Sequence, residues 1–373
     1  MSTGSKRPNR PCILIAPLNW GLGHAARSVP IAAAFAKTCG AVVHWASDGG
    51  ALELLRRERP NDRHFELPSY GVRYPTRSAR LNMLLSAPRM LSAIQAERRT
   101  VARLHAEHDY DFILSDNRYG CRVTGVPSSF LTHQVHLPIG ARFGGGVAQR
   151  LHRYLMHGFD EVVVPDYPTP PRLAGDMSAP AGRMPTRYIG PVSRFESPST
   201  SSDEHAGHHL VIVLSGPEPA RTRFEARVLA ELNDRPLLWR DVLLVRGLPD
   251  GAPAPQNGHS PDRLRIVDFL SAAELGPVLA KADCIVTRPG YTTVMDLAAL
   301  RRPAIYVPTP GQPEQQWLGD SLHATGRGVC VAESGLVLAK AVEDLAKLPK
   351  RTSPMNDTDY LLDWIDVTAK RLG

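Results

Sequence analysis

The chain has 373 residues, room for two domains of ordinary size, and its 43% apolar and 22% charged content excludes a disordered or fibrous chain. A net charge of +7 favours an acidic surface or a phosphorylated ligand, while an aromatic share of 6% and the lack of a basic–aromatic motif argue against a nucleic-acid partner. Five cysteines without C-x-x-C or metal spacing suit a reducing cytoplasm, and no apolar run nears the ~18 residues that span a bilayer. In chain order, Cys12 to Ala16 reads as a buried strand, too short for a signal-peptide core. Ala25 to Lys37 follows as a helix, with Val29, Ala32, Ala33 and Ala36 at helical spacing. Ala41 to Ala46 is a strand and Ala51 to Arg57 a helix. A long helix runs from about Ala87 to Glu107, and strands follow at Phe112 to Ser115, Ser128 to Thr132 and Glu161 to Pro165. Such alternation predicts an α/β fold, a parallel sheet covered by helices, over residues 1–192.

Residues 193–208 include the polar run from Ser197 to His208 and read as a linker. A second α/β unit is expected over 209–356. Its strands are Leu210 to Leu214, Leu243 to Val245, Ile266 to Val267, a run closing on Ile285 and Val286, and Ala304 to Val307. Leu248 to Asp262, rich in Pro and Gly, is a surface loop, and 357–373 a terminal helix.

Three strand-to-helix turns carry candidate chemistry. Asn19-Trp-Gly21-Leu-Gly23-His24-Ala-Ala-Arg27 follows the first strand, where glycines permit close approach of a ligand. Gly21-x-Gly23-x-x-Ala26, with Asp48 ending the second strand, also satisfies a loose NAD-type fingerprint. His24 suits a general base for a sugar hydroxyl, or a helix cap. Asp116 ends a strand bound for the same edge and is a candidate orienter for His24, or else a cap for the next helix. The second turn is Leu214-Ser215-Gly216-Pro217-Glu218-Pro219-Ala220-Arg221; Ser215, Gly216 and Arg221 are placed to hold phosphate, although two prolines remove N–H donors. The third is Arg288-Pro-Gly290-Tyr-Thr-Thr293-Val-Met-Asp296. There a helix N-terminus and Arg288 suggest an anion clamp, and Asp296 a hydroxyl acceptor. The strand after it leads to a proline-rich loop bearing Gln315 and Gln316. Asp109-x-Asp111 and Asp357-x-Asp359 have the D-x-D form but lie before a strand and at a helix start, so no metal site is expected.

The third turn and its glutamines resemble the C-terminal domain of glycosyltransferase family 28, the family of MurG-like enzymes. In that family an Arg-Ser-Gly turn leads to a helix whose Glu binds the ribose of UDP, and a Gln-Gln pair contacts the donor sugar. Arg288, Gly290, Thr293, Gln315 and Gln316 match; Asp296 stands for the Glu and Pro289 for the Ser. The match extends over about the last 170 residues of the chain, as far as motif spacing carries it. Arg194, in Gly190-Pro-Val-Ser-Arg194, and Leu270, in Asp268-Phe269-Leu270, resemble further donor-site segments. His133, with Gln134, resembles a His-Glu-Gln stretch that lacks its Glu here.

The resemblance implies a GT-B fold: two Rossmann-like domains facing a central cleft, the C-terminal helix crossing back to the first domain. It implies a donor site of Arg194, Ser215, Gly216, Arg221, Leu270, Arg288, Gly290, Thr293, Asp296, Gln315 and Gln316. His24 and Asp116 would be catalytic, and Gly23, Asn117 and His133 would contact the acceptor. The implied activity is inverting, metal-independent transfer from a UDP-sugar, a substrate rather than a cofactor, to an acceptor hydroxyl. A UDP-sugar hydrolase and a non-catalytic nucleotide-sugar-binding protein remain alternatives. Residues 77–103 pair Leu81, Met83, Leu84, Leu85, Met90 and Leu91 with Arg77, Arg80, Arg89, Arg98, Arg99 and Arg103. That pattern suits either a core-facing helix or an anionic membrane surface, where an acceptor would be lipid-linked at the inner face of the cell membrane.

Overall fold

Short runs of β-branched and aliphatic residues form the centres of two parallel sheets. The computed structural model describes residues 10–70, 79–138, 145–180, 182, 184–195, 209–248, 251, 264–349 and 359–372, with the backbone alone for 79–88, 145 and 237. Of these, residues up to 172, 176–192 and 359 onward form one compact unit, and 173–175 with 193–349 form a second. The sequence-predicted linker segment 197–208 and most of the 248–262 loop lie outside the described residues.

The first unit holds β1 (Cys12–Pro17), β2 (Val42–Ser47), β3 (Arg63–Glu66), β4 (Phe112–Asp116), β5 (Ser128–Leu131), β6 (Glu161–Val164) and β7 (Thr186–Tyr188). Their order is β3-β2-β1-β4-β5-β6-β7, parallel throughout. Ile13, Leu14 and Ile15 are fully buried, as a central strand covered on both faces requires. The covering helices are α1 (Gly23–Cys39), α2 (Gly49–Glu58), α3 (Ala79–His108) and α4 (Gly145–Met156). The chain moves one way along the sheet from β1 to β3 and the other way from β4 on. The crevice outside the β1 and β4 carboxyl ends is therefore the topological switch point, where open α/β sheets bind ligands.

The second unit repeats the plan with β8 (Leu210–Val213), β9 (Val242–Val245), β10 (Leu264–Val267), β11 (Cys284–Thr287), β12 (Ala304–Tyr306) and β13 (Gly328–Cys330). The order is β10-β9-β8-β11-β12-β13, again parallel, with its switch point between β8 and β11. Helices α5 (Ala220–Asp234), α6 (Ala272–Lys281), α7 (Tyr291–Ala299), α8 (Pro313–Ala324) and α9 (Leu338–Ala346) complete it. Leu210, Ile212, Phe224, Val228, Val286 and Ile305 form the centre of its core, each buried to within 0% exposure. At ~25 cal/mol per Å², burying each such side chain contributes roughly 1.5–3 kcal/mol.

The last helix, α10 (Tyr360–Leu372), packs on α1 of the first unit. Trp364 meets the edge of Phe35 at 5.5 Å, and its indole N–H donates to Glu161 at 2.9 Å. A buried Trp with a satisfied N–H holds the end of the chain on the first domain.

Candidate active site

In the first unit the loop after β1 is anchored at its start. Asn19 donates to the Asp48 carboxylate at 3.3 Å and accepts from the Ala51 N–H at 3.2 Å. Gly21 has φ of +86°, a conformation that disfavours a side chain, and turns the chain into α1. Trp20 and Leu22 on either side of it are exposed. His24 thus falls in the first turn of α1, at the switch point.

His24 Nδ1 lies 2.9 Å from Asp116 Oδ1, at the end of β4. Arg27, one turn further along α1, donates from Nε to Asp116 Oδ2 at 2.7 Å and from Nη2 to Oδ1. Asp116 is fully buried. Burial alone would raise its carboxyl, but the charge of Arg27 first, and then the interaction with His24, outweigh it and hold the group at about 2. Asp116 is therefore a carboxylate and can only accept. That assigns the proton of His24 to Nδ1 and leaves Nε2 as the basic nitrogen. His133, at the end of β5, is buried, with Nδ1 3.3 Å from Arg27 Nη1. Asn117 adopts φ of +60° just beyond Asp116 and is half-buried, as is Gly23.

Asp48, the acid a dinucleotide reading would place on a ribose, is already engaged. It receives Arg118 Nη1 at 2.6 Å, and Arg118 Nε also binds Glu97 at 2.7 Å. Burial raises the Glu97 carboxyl, and Arg118 only partly counters this. This network anchors the loop from below.

In the second unit the structure redirects several expected donor residues. Arg288 is fully buried. Its guanidinium donates to the carbonyls of Val307 and Pro308 at 2.9 and 3.0 Å, pairs with Glu333, and lies 4.0 Å over the Phe224 ring. It ties the ends of β11 and β12 to α5, and its charge is paired with Glu333. Arg221 is likewise buried, paired with Glu218 at 2.6 Å and Glu225 at 3.0 Å. Main-chain groups at this edge are available to an anion. Gly290 caps α7, with Thr293 half-buried in its first turn, and Gly216, with φ of +103°, is exposed after Ser215.

Asp296 is buried on α7. Oδ1 accepts from Ser193 Oγ at 2.8 Å, and Oδ2 faces Arg194 Nε at 3.4 Å. Burial raises its carboxyl, with Arg194 opposing. Gln315 and Gln316 stand in the first turn of α8 rather than in a loop. The Gln315 side-chain oxygen accepts from the Thr309 N–H at 2.8 Å, leaving its amide N–H groups as donors. Gln316 donates to Asp320 at 2.9 Å on the exposed face of α8. Leu270 is half-buried just before α6.

Sequence reasoning gave no role to Arg27, Glu333 or Ser193. Only Arg27 left a signal, its i,i+3 spacing from His24 on one helix face. Asp111 accepts from the Cys12 N–H at 2.7 Å, a strand-linking role. Among the described residues no group of three or more His, Cys, Asp or Glu is placed to hold a metal ion. Nor is any helix there long and apolar enough to cross a membrane.

Comparison with known proteins bears on the second unit most directly. The profile of the glycosyltransferase family 28 C-terminal domain matches residues 226–362. A Yersinia enterocolitica UDP-N-acetylglucosamine–N-acetylmuramyl-(pentapeptide) pyrophosphoryl-undecaprenol N-acetylglucosamine transferase is 32% identical over 139 residues, 36% of this chain and 38% of that one. The match thus spans about two fifths of that relative's length. An uncharacterised glycosyltransferase of Methanopyrus kandleri is 23% identical over 82% of this chain and 90% of its own. Among solved structures, the calicheamicin glycosyltransferase superposes with a TM-score of 0.64 at 15% identity, covering 98% of this chain and 96% of that one. Acinetobacter baumannii MurG superposes with a TM-score of 0.56 at 14% identity, covering 97% and 95%. Residues 226–362 thus match the glycosyltransferase family 28 C-terminal domain, in a chain that has the two-domain GT-B glycosyltransferase fold.

Proposed function

We propose that the chain is an inverting, metal-independent glycosyltransferase that moves a sugar from a UDP-sugar to an acceptor hydroxyl. The observation that carries this reading is the His24–Asp116 pair at 2.9 Å, which leaves His24 Nε2 as a base at the first unit's switch point. The acceptor O–H gives its proton to Nε2 as its oxygen attacks the anomeric carbon. The bond from that carbon to the UDP oxygen breaks, and its electron pair leaves with the phosphate. One displacement of this kind inverts the anomeric centre. Charge growing on the departing UDP is met by the N-terminus of α7 at Gly290 and Thr293, and by the Ser215–Gly216 turn. The Gln315 amide is available to sugar hydroxyls, and Asp296, held by Ser193 and Arg194, to the ribose. UDP as the nucleotide is supported by the family 28 match and by the name of the Yersinia relative.

A lipid-linked acceptor at the inner face of the cell membrane extends the reading. Its support is α3, where Arg89, Leu91, Arg98, Arg99 and Arg103 are exposed. Met90 packs into the core beside Ile94. Arg77 and Arg80, and the side chains of Leu81, Met83, Leu84 and Leu85, lie outside the described residues. Co-sedimentation with anionic vesicles that weakens with salt, and drops on Leu91→Glu, supports docking; equal recovery with neutral vesicles refutes it.

The activity is tested by following UDP release from UDP-N-acetylglucosamine with and without candidate acceptors. His24→Ala should lower turnover about 10²–10⁴-fold at nearly unchanged UDP affinity. Loss of UDP binding at an unchanged rate would remove His24 from the chemistry. Release that no acceptor accelerates would favour a hydrolase.

A further inference from the structure

We propose that Arg27 is a positioning residue for the His24 base: its guanidinium fixes the Asp116 carboxylate so that Asp116 takes the Nδ1 proton and Nε2 faces the reaction. This rests on the reading of His24 as the base, and it assigns a function to a side chain that a sequence motif would pass over.

Four contacts meet at one buried group. Arg27 is 2% exposed. Nε reaches Asp116 Oδ2 at 2.7 Å, Nη2 reaches Oδ1, Nη2 lies 3.0 Å from His24 Nδ1, and Nη1 lies 3.3 Å from His133 Nδ1. The first two are a side-on, two-point grip that sets the plane of the carboxylate. A planar fork can do this and a point charge cannot. With the plane set, Oδ1 stays against His24 Nδ1, and the imidazole N–H and Nη2–H share that one acceptor. Nη2 could donate to a bare Nδ1, but Oδ1 lies at hydrogen-bonding distance from Nδ1, and an Nδ1–H aimed at Oδ1 satisfies both nitrogens with one acceptor. Nδ1 cannot then turn its lone pair to Asp116, because two acceptors would face each other at 2.9 Å.

Charge leads to the same arrangement. A buried carboxylate beside a neutral imidazole is costly without a counter-ion. Were Arg27 missing, Asp116 would be relieved either by taking a proton itself or by drawing one onto His24. Either outcome removes the arrangement a base needs. Arg27 neutralises Asp116 in advance, so the trio carries no net charge while His24 is neutral. The guanidinium also links α1 to the ends of both β4 and β5 through Asp116 and His133. An arginine that served only to hold the fold would need the grip on Asp116 but not the approach to the imidazole.

The test combines imidazole nitrogen NMR with kinetics on the full chain. Protein labelled with ¹⁵N-histidine is compared as wild type, Arg27→Lys and Arg27→Met at pH 8, with His24→Gln to assign the signal. Wild type is expected to show His24 with Nδ1 protonated and Nε2 bare. Arg27→Met should show a tautomer mixture or a protonated ring, and Arg27→Lys an intermediate state. UDP release from UDP-N-acetylglucosamine should fall about 10- to 100-fold in Arg27→Met, the scale for losing a histidine's orienting partner, with KM changed less than about threefold. Lysine should restore part of the rate. An unchanged His24 tautomer in both variants overturns the proposal, as does a wild-type Nε2–H tautomer. If Arg27→Met does not fold, Arg27→Lys and the wild-type spectrum decide between these outcomes. A His24→Gln variant with undiminished rate would instead sink the base assignment, whatever the NMR shows about Arg27.

Discussion

Replacing Asp116 with Asn keeps the side chain's shape and removes its charge. Two buried groups then lose their counter-ion. Arg27 is 2% exposed and faces an amide, and His24 Nδ1 loses a carboxylate acceptor. The native carboxyl is held at about 2 against its ordinary 3.8, which at ~1.4 kcal/mol per tenfold corresponds to about 2–3 kcal/mol of stabilisation above pH 4. Stranding a buried arginine costs about 3–5 kcal/mol in comparable cases. We therefore expect Asp116→Asn to lose about 2–4 kcal/mol at pH 7 in urea unfolding of the first unit. Because the folded value is depressed, the contribution is present above about pH 4 and is lost as pH falls from 4 toward 2. Wild type should show that acid limb, and the variant should show it reduced. Turnover should fall alongside, since an amide can present its N–H to the imidazole and reverse the tautomer. A variant as stable as wild type at pH 7 would mean that burial of Asp116 offsets everything its partners contribute.

Three further outcomes are expected. His152 is buried between Tyr119 and the Gln134 carbonyl; burial pushes it down to about 4, so the neutral form is favoured in the fold. Its stabilisation is full above about pH 6.5 and fades as pH falls toward 4, about 2 kcal/mol being lost by pH 5; urea titrations of wild type and His152→Gln at pH 7.5 and 5 should differ in slope, and parallel slopes would refute this. Arg288→Met should cost about 3 kcal/mol by leaving Glu333 unpaired and two carbonyls without a donor, with UDP affinity affected only through folding; normal stability with lost UDP binding would restore the phosphate role. Asp296→Asn should weaken UDP about tenfold by calorimetry, the loss expected for one hydrogen bond to a charged group, and unaltered affinity would place the ribose elsewhere.

Central strands such as β1 and β8 were legible because a strand buried on both faces reads as an unbroken apolar run. β3 (Arg63–Glu66) and β7 (Thr186–Tyr188) were not, being short, half-exposed and at sheet edges. The meeting of His24 and Asp116 followed from topology, since one opens the helix after β1, the other ends β4, and those strands flank one switch point. Arg27's grip on Asp116 joins residues 89 apart in sequence, and no local pattern announces it. Arg288 is the opposite case. A basic residue at a helix start reads as an anion clamp, yet a carboxylate 45 residues later claims it. Side-chain pairing across the sheet decides such cases, and residue type cannot.

The claim that the second unit is a nucleotide-sugar domain is tested most directly by thermal shift of the whole chain with UDP, UDP-N-acetylglucosamine, GDP, TDP and NAD. A ligand at a hundred times its dissociation constant adds about 2.7 kcal/mol, a clear rise in the melting temperature. The account predicts that rise for UDP and its sugar, reduced in Asp296→Asn, with none for NAD. A shift with NAD and none with UDP would contradict it.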